Sequence, residues 1–313
     1  MEWYWYVLIV TASILVSTFV SAAFCIFEKV FRGNSEQAEE IIAQARANPD
    51  PNVQMRVHTL DRMQTMPHDR LTRRSEDGIL LSARYYPNGE SKRVAVLVHG
   101  WRSAPWWDYG GTFELLYRSG YAVLAVSQRA LYESEGRYVT YGVREKDDIL
   151  GWVRLLLERY GSDLSIALCG VSMGATTVLL ASGEKPPEQV KCIVSDCSHT
   201  KAADLFRFAS KGWLPMVRLL TDLLLRMRCG VSYFKANANK AVARSHTPTI
   251  FIHGDADEVV PYPMMEELYA ACAAPKEKWT VPGAKHGEAF ATDPDGYASR
   301  VLPFLDRYTG SEK

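Results

Sequence analysis

The sequence predicts an α/β fold, a mostly parallel sheet of eight strands with helices on both faces and a helical cap, preceded by one transmembrane helix. Three observations predict it. Short unbroken apolar runs such as 94–98 and 121–126 recur, as strands buried on both faces require. Amphipathic stretches of helical length alternate with them, which implies parallel strands and crossover helices. Chemistry-bearing residues in glycine-flanked turns follow the runs, and in such sheets the ligand crevice lies outside the carboxyl ends of the strands.

The first segment, residues 3–27, is uncharged and mainly apolar. About 25 residues at 1.5 Å each cross a hydrocarbon layer of roughly 30 Å with some tilt. The Trp3-Tyr4-Trp5-Tyr6 cluster is a candidate interfacial belt. A cleaved signal peptide, with Ser21 and Ala23 before the cut, is the competing reading. It wants a basic leader, and only Met1 and Glu2 precede the apolar run, so a retained anchor over residues 1–33 is favoured. Lys29 and Arg32 flank its far end, which by the positive-inside tendency places the main domain in the cytoplasm.

Residues 34–65 are polar with spaced apolar positions (Ile41, Ile42, Val53, Met55, Leu60) and a break at Asn48-Pro49-Asp50-Pro51. The pattern predicts a helical stalk or linker. From 66 to 313 one large domain is expected, since α/β folds commonly run to about 250 residues as one unit. The cluster Arg70, Arg73, Arg74 beside Glu76 and Asp77 reads as a solvated strand edge. Residues 80–86 alternate as a lead-in strand ended by Pro87-Asn88-Gly89, and 94–98 follow as a buried strand. A short helix over 112–119, a strand over 121–126 and an amphipathic helix over 143–160 come next, the last stopped by Gly161. Strands over 164–169, 192–194, 249–252 and 276–281, with helices over 264–272 and 297–308, complete the pattern.

Thirty-six basic residues balance 36 acidic ones. A net charge of zero argues against a nucleic-acid partner, which needs a basic face to displace counterions. The six cysteines form no C-x-x-C pair and no zinc spacing with histidine, and the acyl-transfer chemistry expected below needs no metal or organic cofactor. Cys169 and Cys192 fall in apolar runs and read as core residues.

The chemistry lies at the strand ends. Gly170-Val171-Ser172-Met173-Gly174 is a G-x-S-x-G pattern between a strand and a helix. A chain that reverses so tightly lifts a serine hydroxyl clear of the sheet and leaves the next amide, that of Met173, aimed at a developing oxyanion. The loop after the third strand, His99-Gly100-Trp101, makes the amide of Trp101 the second candidate donor, with His99 read as structural. After the seventh strand, His253-Gly254-Asp255-Ala256-Asp257 offers two acids. Asp257 is favoured because two further residues bring it over the crevice. After the eighth strand comes Pro282-Gly283-Ala284-Lys285-His286-Gly287, and His286 alone among the histidines follows both serine and acid. His199 is the rival base.

These residues, with Gln128-Arg129, Ser134-Glu135-Gly136 and Ser195-Asp196-Cys197, resemble the α/β-hydrolase superfamily over about residues 66–308. More narrowly they resemble membrane-anchored hydrolases of Gram-positive bacteria, grouped with serine aminopeptidase-like hydrolases. The resemblance implies the α/β-hydrolase fold, a Ser172–His286–Asp257 triad and hydrolysis of carboxylic esters. It also implies an extracytoplasmic domain, against the flanking charges. Ser127-Gln128-Arg129-Ala130 departs from the aspartate and glycine turn of many relatives, which bears on pocket support rather than chemistry. The loop after Gly100 lacks further glycines, which argues against a large-lipid lipase.

The expectation is therefore a serine esterase for small or medium acyl chains, with small-molecule ester or peptide substrates. An aminopeptidase, with Glu133, Glu135 or Asp196 holding the substrate amine, and a non-catalytic membrane-anchored binding protein are the alternatives. Residues 198–246 are the cap insertion, with Phe206, Phe208, Trp213, Leu214, Val217, Leu219, Leu220, Leu223, Leu224 and Leu225 packing on the body, lining an acyl pocket or touching the membrane. Trp101, Trp106 and Trp107 are expected to crowd the crevice mouth.

Overall fold

The computed structural model describes residues 2–34, 37–209 and 215–310. Eight strands form one sheet in the order β1-β2-β4-β3-β5-β6-β7-β8. They are β1 (Asp69–Arg74), β2 (Leu80–Tyr86), β3 (Arg93–Val98), β4 (Ala122–Ser127), β5 (Ser165–Val171), β6 (Val190–Asp196), β7 (Thr249–Gly254) and β8 (Lys276–Val281). The β1/β2 and β2/β4 pairs are antiparallel and the rest are parallel. Every residue of β3, β4 and β7 is buried, which is why these segments read as unbroken apolar runs. The edge strand β1 buries only Leu71 fully and exposes Arg70 and Arg74, while Arg73 folds back over Trp152.

One face of the sheet carries α4 (Pro105–Asp108), α5 (Thr112–Arg118), α12 (Ala289–Thr292) and α13 (Pro294–Thr309), whose Trp106, Phe113, Leu116, Val301, Phe304 and Leu305 meet Leu97, Val123 and Ala125. The other face carries α6 (Glu145–Tyr160), α7 (Met173–Ser182), α10 (Ala238–Val242) and α11 (Pro263–Ala271). All ten residues of α7 are buried, so its sequence shows no polar face.

Within the segment read as a stalk, residues 37–65 do not stand off from the body. The helices α2 (Ala38–Ala47) and α3 (Pro51–Thr65) lie on the first face, where Ala45, Val57, Leu60 and Met63 join the core of Trp106 and Tyr109. The proline-rich break is the start of α3. Pro51 stands at its first turn, and Asp50 caps it by accepting the amides of Asn52 at 2.8 Å and Val53 at 3.4 Å. The apolar residues are spaced for packing on the body, and a polar outer face is what made the segment resemble a linker.

Helix α1 (Glu2–Phe31) is exposed along most of its length, and its apolar stretch from Trp3 to Phe31 is long enough to cross a membrane. Its last turns are different: Ala23, Phe27 and Phe31 are buried against the domain. The chain that follows is clamped. The amide of Val139 donates to Phe31 O at 2.8 Å, Gly33 donates to Arg137 O at 2.9 Å, and Asn34 donates to Ala130 O at 3.1 Å. A Cβ on Gly33 would lie 1.8 Å from Ala130 O, so only glycine passes here.

The cap comprises α8 (Ala202–Ala209), α9 (Pro215–Cys229), a single 3-10 turn at Tyr233–Lys235 and α10. Phe206 packs edge-on against Phe31, Tyr141 and Tyr233 at centroid distances of 5.6, 4.8 and 4.9 Å. Val217 and Leu225 are buried, whereas Leu219 and Leu223 face outward. Trp213, Leu214 and the side chain of Phe208 lie outside the described residues. All six cysteines are free thiols, and four of them are buried.

The unusual Gln128-Arg129 turn anchors a buried ion cluster. Arg129 donates to Asp148 at 2.7 and 2.9 Å and to Asp77 at 2.8 and 3.2 Å, tying the end of β4 to α6 and to the β1–β2 turn. Burial alone would raise the Asp77 carboxyl, but hydrogen bonds from Arg129 and Ser75 overcome it and hold the group at about 2. A depressed carboxyl stabilises the fold above its unfolded value of about 3.9 and loses that contribution as pH falls toward 2. Asp77→Asn should therefore lower the melting temperature at neutral pH, and the gap to wild type should close between pH 4 and pH 2 in a circular-dichroism melt series. A gap that stays constant with pH would refute this account of the cluster.

Candidate active site

The crossover order places the ends of β3 and β5 side by side, with Val98 opposite Gly170. Ser172 follows at φ 55°, ψ −119°, a sparsely populated conformation for a residue with a side chain. The flanking glycines allow it. A Cβ on Gly174 would sit 1.8 Å from Val98 O, and one on Gly170 would sit 2.5 Å from the backbone of Ala175. The start of α7 is thereby pressed against β3, and Ser172 is held over the sheet edge by its own amide, which donates to Asp196 O at 2.9 Å.

Three chain-distant side chains meet above this edge. His286 Nε2 lies 2.8 Å from Ser172 Oγ, and His286 Nδ1 lies 2.7 Å from Asp257 Oδ2. Asp257 Oδ1 accepts the amides of Val259 at 2.8 Å and Val260 at 2.9 Å. With Nδ1–H donated to a carboxylate, Nε2 of the neutral ring is the acceptor for the serine hydroxyl.

A second histidine, which the sequence presents only as the end of a strand, completes the acid's shell. His253 is fully buried, and its Nε2 lies 3.2 Å from Asp257 Oδ2 and 3.0 Å from Val260 O. Burial alone would raise the Asp257 carboxyl, yet the hydrogen bonds from His253 and His286 hold it far below the usual range.

The rival residues have other work. Asp255 accepts the Gly283 amide at 2.6 Å and so fastens the loop that carries His286. His199 is buried beside Thr176, with Nδ1 3.0 Å from Thr176 Oγ1, and burial pushes it down to about 3. His99 accepts the Gln128 amide at Nε2 and holds Gly100 O at Nδ1 2.9 Å away. Among the proposed amine-holding acids, Glu133 is paired with Arg84, Glu135 accepts the Leu80 amide, and Asp196 is buried and pushed up to about 7 by desolvation.

The two candidate oxyanion amides, of Trp101 and Met173, donate to no acceptor among the described residues. Their loops touch: a Cβ on Gly100 would approach Ser172 Cβ to 3.1 Å. Asp108, which the sequence did not single out, shapes this loop by accepting Gly100 N at 2.5 Å and Ser103 Oγ at 2.6 Å. Behind it Tyr109 Oη lies 2.6 Å from Cys169 O and accepts Val98 N at 3.2 Å, which pins the loop across β3 and β5.

Ser172 and His286 open into a pocket of about 440 Å³. Trp101, Trp106 and Trp107 line it as expected, but the described cap residues do not. Asn34, Ile41 and Arg56 supply the wall instead, all from the segment read as a stalk. Arg56 stacks over Trp107 at 4.7 Å and Arg102 over Trp101 at 5.0 Å, so two cations border the mouth on aromatic faces. The Trp101 indole donates to Val30 O at 2.9 Å, joining the mouth to the end of α1. Cys197 Sγ lies within 4.8 Å of the ligating atoms of Asp257 and His286, and burial pushes its thiol well up.

Residues 35–226 match the family model described as X-Pro dipeptidyl-peptidase (S15 family). The chain belongs to that family. The match takes in Ser172 and ends before Asp257 and His286. The S15 family lies in the α/β-hydrolase clan, in agreement with the broader resemblance of the sequence motifs. YqkD of Bacillus subtilis is 28% identical over 196 residues, which is 61% of this chain and 64% of that protein. YfhR of Escherichia coli O157:H7 is 24% identical over 243 residues, 74% of this chain and 78% of that protein. The chain thus spans slightly less than two thirds of YqkD. Among solved structures, the Pyrococcus furiosus esterase Pf2001 superposes with a TM-score of 0.67 at 25% identity, covering 80% of this chain and 95% of that one. The esterase domain of a Rhodothermus marinus protein superposes with a TM-score of 0.57 at 19% identity, covering 78% of this chain and all of that one, and shows the fold alone.

Two substitutions test the geometry. Asp257→Asn, which removes the anion that fixes the His286 tautomer, should lower kcat roughly 10³–10⁴-fold, with little change in KM. His253→Leu, which removes one donor from the same oxygen, should cost on the order of tenfold, the equivalent of one modest hydrogen bond. Steady-state kinetics on a p-nitrophenyl ester reads both, and equal losses would reject the division of roles between the two histidines.

Proposed function

We propose that the protein is a serine hydrolase that cleaves carboxylic esters of small or medium acyl chains through an acyl-enzyme. The observation that carries this reading is the continuous hydrogen-bonded line from Ser172 Oγ through His286 to Asp257. His286 takes the hydroxyl proton as Ser172 Oγ attacks the substrate carbonyl. The amides of Met173 and Trp101 receive the oxyanion. His286 then gives its proton to the leaving alcohol, and in the second half-reaction it takes a proton from water to release the acid. Asp257 stays ionised throughout and orients the ring. The three tryptophans and the moderate pocket favour a short or flat acyl group, and the similarity to the Pyrococcus furiosus esterase supports an ester as the substrate.

A peptide substrate is the second reading, and the family description favours it. Asp108 is the acid in the pocket that could hold a substrate amine, but both of its oxygens already accept donors from its own loop. An ester is therefore preferred.

We further propose that α1 is a retained membrane anchor. A free signal segment has no need of a docked end, whereas Ala23, Phe27 and Phe31 are built into the domain. Lys29 and Arg32 argue for a domain on the cytoplasmic side, and the resemblance to anchored bacterial hydrolases for the outer side.

Ser172→Ala should abolish both hydrolysis of short-chain p-nitrophenyl esters, by at least about a thousandfold, and labelling by a fluorophosphonate probe, with the melting temperature nearly unchanged. Retained labelling would reject the nucleophile. A panel of esters against X-Pro amides separates the two substrate readings by kcat/KM.

A further inference from the structure

Helix α9 buries a mixed face that includes Thr221 and Asp222, and leaves an apolar face exposed where a cap helix would show a polar one. Val217, Thr221 and Leu225 are buried toward the body. Met216, Leu219, Leu223 and Met227 follow one another at spacings of three, four and four, and are 60%, 60%, 51% and 73% exposed. Side chains at those spacings share one helix face. Four large apolar residues in a continuous exposed stripe mark an interaction surface, since scattered single residues are the norm on a soluble protein.

What covers the stripe follows from its neighbour. Helix α9 packs directly against α1. A span of about 20 residues accounts for a hydrocarbon layer of roughly 30 Å. Counted from the aromatic cluster Trp3–Tyr6, it ends near residue 22, where the docked turns Ala23, Phe27 and Phe31 begin. Helix α9 therefore lies beside the part of α1 that has just left the hydrocarbon. Its ionic residues are Arg218, Arg226 and Arg228 against one acid, Asp222, a composition suited to anionic headgroups. Residues 31–34 are clamped to the 130–139 loops, so domain and anchor cannot swing freely apart.

We propose that α9 lies in the membrane–water interface, with Met216, Leu219, Leu223 and Met227 seated in the headgroup–acyl boundary of the bilayer that α1 enters. This rests on the anchor reading above. One consequence concerns the pocket. At its mouth, Trp101 is hydrogen-bonded to Val30 O in the last turn of α1 and Asn34 stands three residues beyond that helix, so a seated α9 would bring the entrance close to the layer just above the lipid surface. Esters that partition into that layer reach Ser172 without crossing bulk water.

The test uses the full chain in vesicles of phosphatidylcholine and phosphatidylglycerol. In a Cys25→Ser background, which removes the exposed native thiol, an environment-sensitive fluorophore is attached at Leu223→Cys, at Val10→Cys in α1, or at Val259→Cys on an exposed loop beyond β7. Quenchers are lipids with nitroxide placed high or low on the acyl chain, and aqueous iodide. Fluorophosphonate labelling of Ser172 certifies that each variant is folded. The Leu223 probe should be quenched several-fold more by the shallow nitroxide than by the deep one, the Val10 probe more by the deep one, and the Val259 probe by iodide alone. If the Leu223 probe behaves like Val259 while Val10 is lipid-quenched, the anchor stands and the seated helix is overturned. If Leu223 is shielded from iodide yet not quenched by lipid, a second copy of the chain covers the stripe, and the proposal is again overturned. If Val10 is also untouched by lipid quenchers, the anchor reading falls and takes this one with it.

Discussion

The architecture of the site depends on one forced turn, in which the backbone reverses between β5 and α7. Ser172 occupies a left-handed conformation of the kind that costs on the order of 1–3 kcal/mol. That cost is borne because the first turn of α7 lies against the backbone of β3, with no room for a side chain at Gly174. The same contact brings the His99–Trp101 loop over the nucleophile. Strain, oxyanion geometry and nucleophile height are thus one constraint expressed at three atoms.

Electrostatics at the site are arranged around a buried anion. Asp257 has a side chain with no exposed surface, yet it stays ionised because two amides and two imidazoles point at it. The neighbouring Asp196 is buried to a similar degree but lacks such donors, and desolvation pushes it up to about 7. The two acids show that the donors, and not depth, decide which carboxyl carries charge. In the proposed mechanism, a fixed negative charge behind His286 would stabilise the imidazolium formed when the serine proton leaves.

The pocket is built from an unexpected direction. Cap insertions in an α/β fold are the customary place for a substrate wall, but here Ile41 of α2, Arg56 of α3 and Asn34, three residues beyond α1, line the crevice. Arg56 reaches over Trp107, and Trp101 reaches back to the last turn of α1. The N-terminal region is therefore structurally continuous with the α/β domain, and movement of α1 would be felt at the mouth of the pocket.

How much of this was legible in the sequence follows from the range of the forces involved. Strands buried on both faces announce themselves as apolar runs, and the glycines at 170 and 174 announce a tight turn, because both are demands made on adjacent residues. The order Ser172, Asp257, His286 could be read because the fold presents its strand ends in a known succession. The donor set around Asp257 could not, since His253 looks like any strand residue until the register of β7 turns it toward the acid. Asp108 was invisible for the same reason, as an acid next to two tryptophans carries no local signature. Residues 34–65 resemble a linker in sequence because amphipathicity shows that a face is apolar without showing what it packs on. Local backbone preferences and burial periodicity were thus determined by the sequence alone. The meeting of side chains far apart in the chain was decided only by tertiary packing, because it depends on distances that no spacing along a chain encodes.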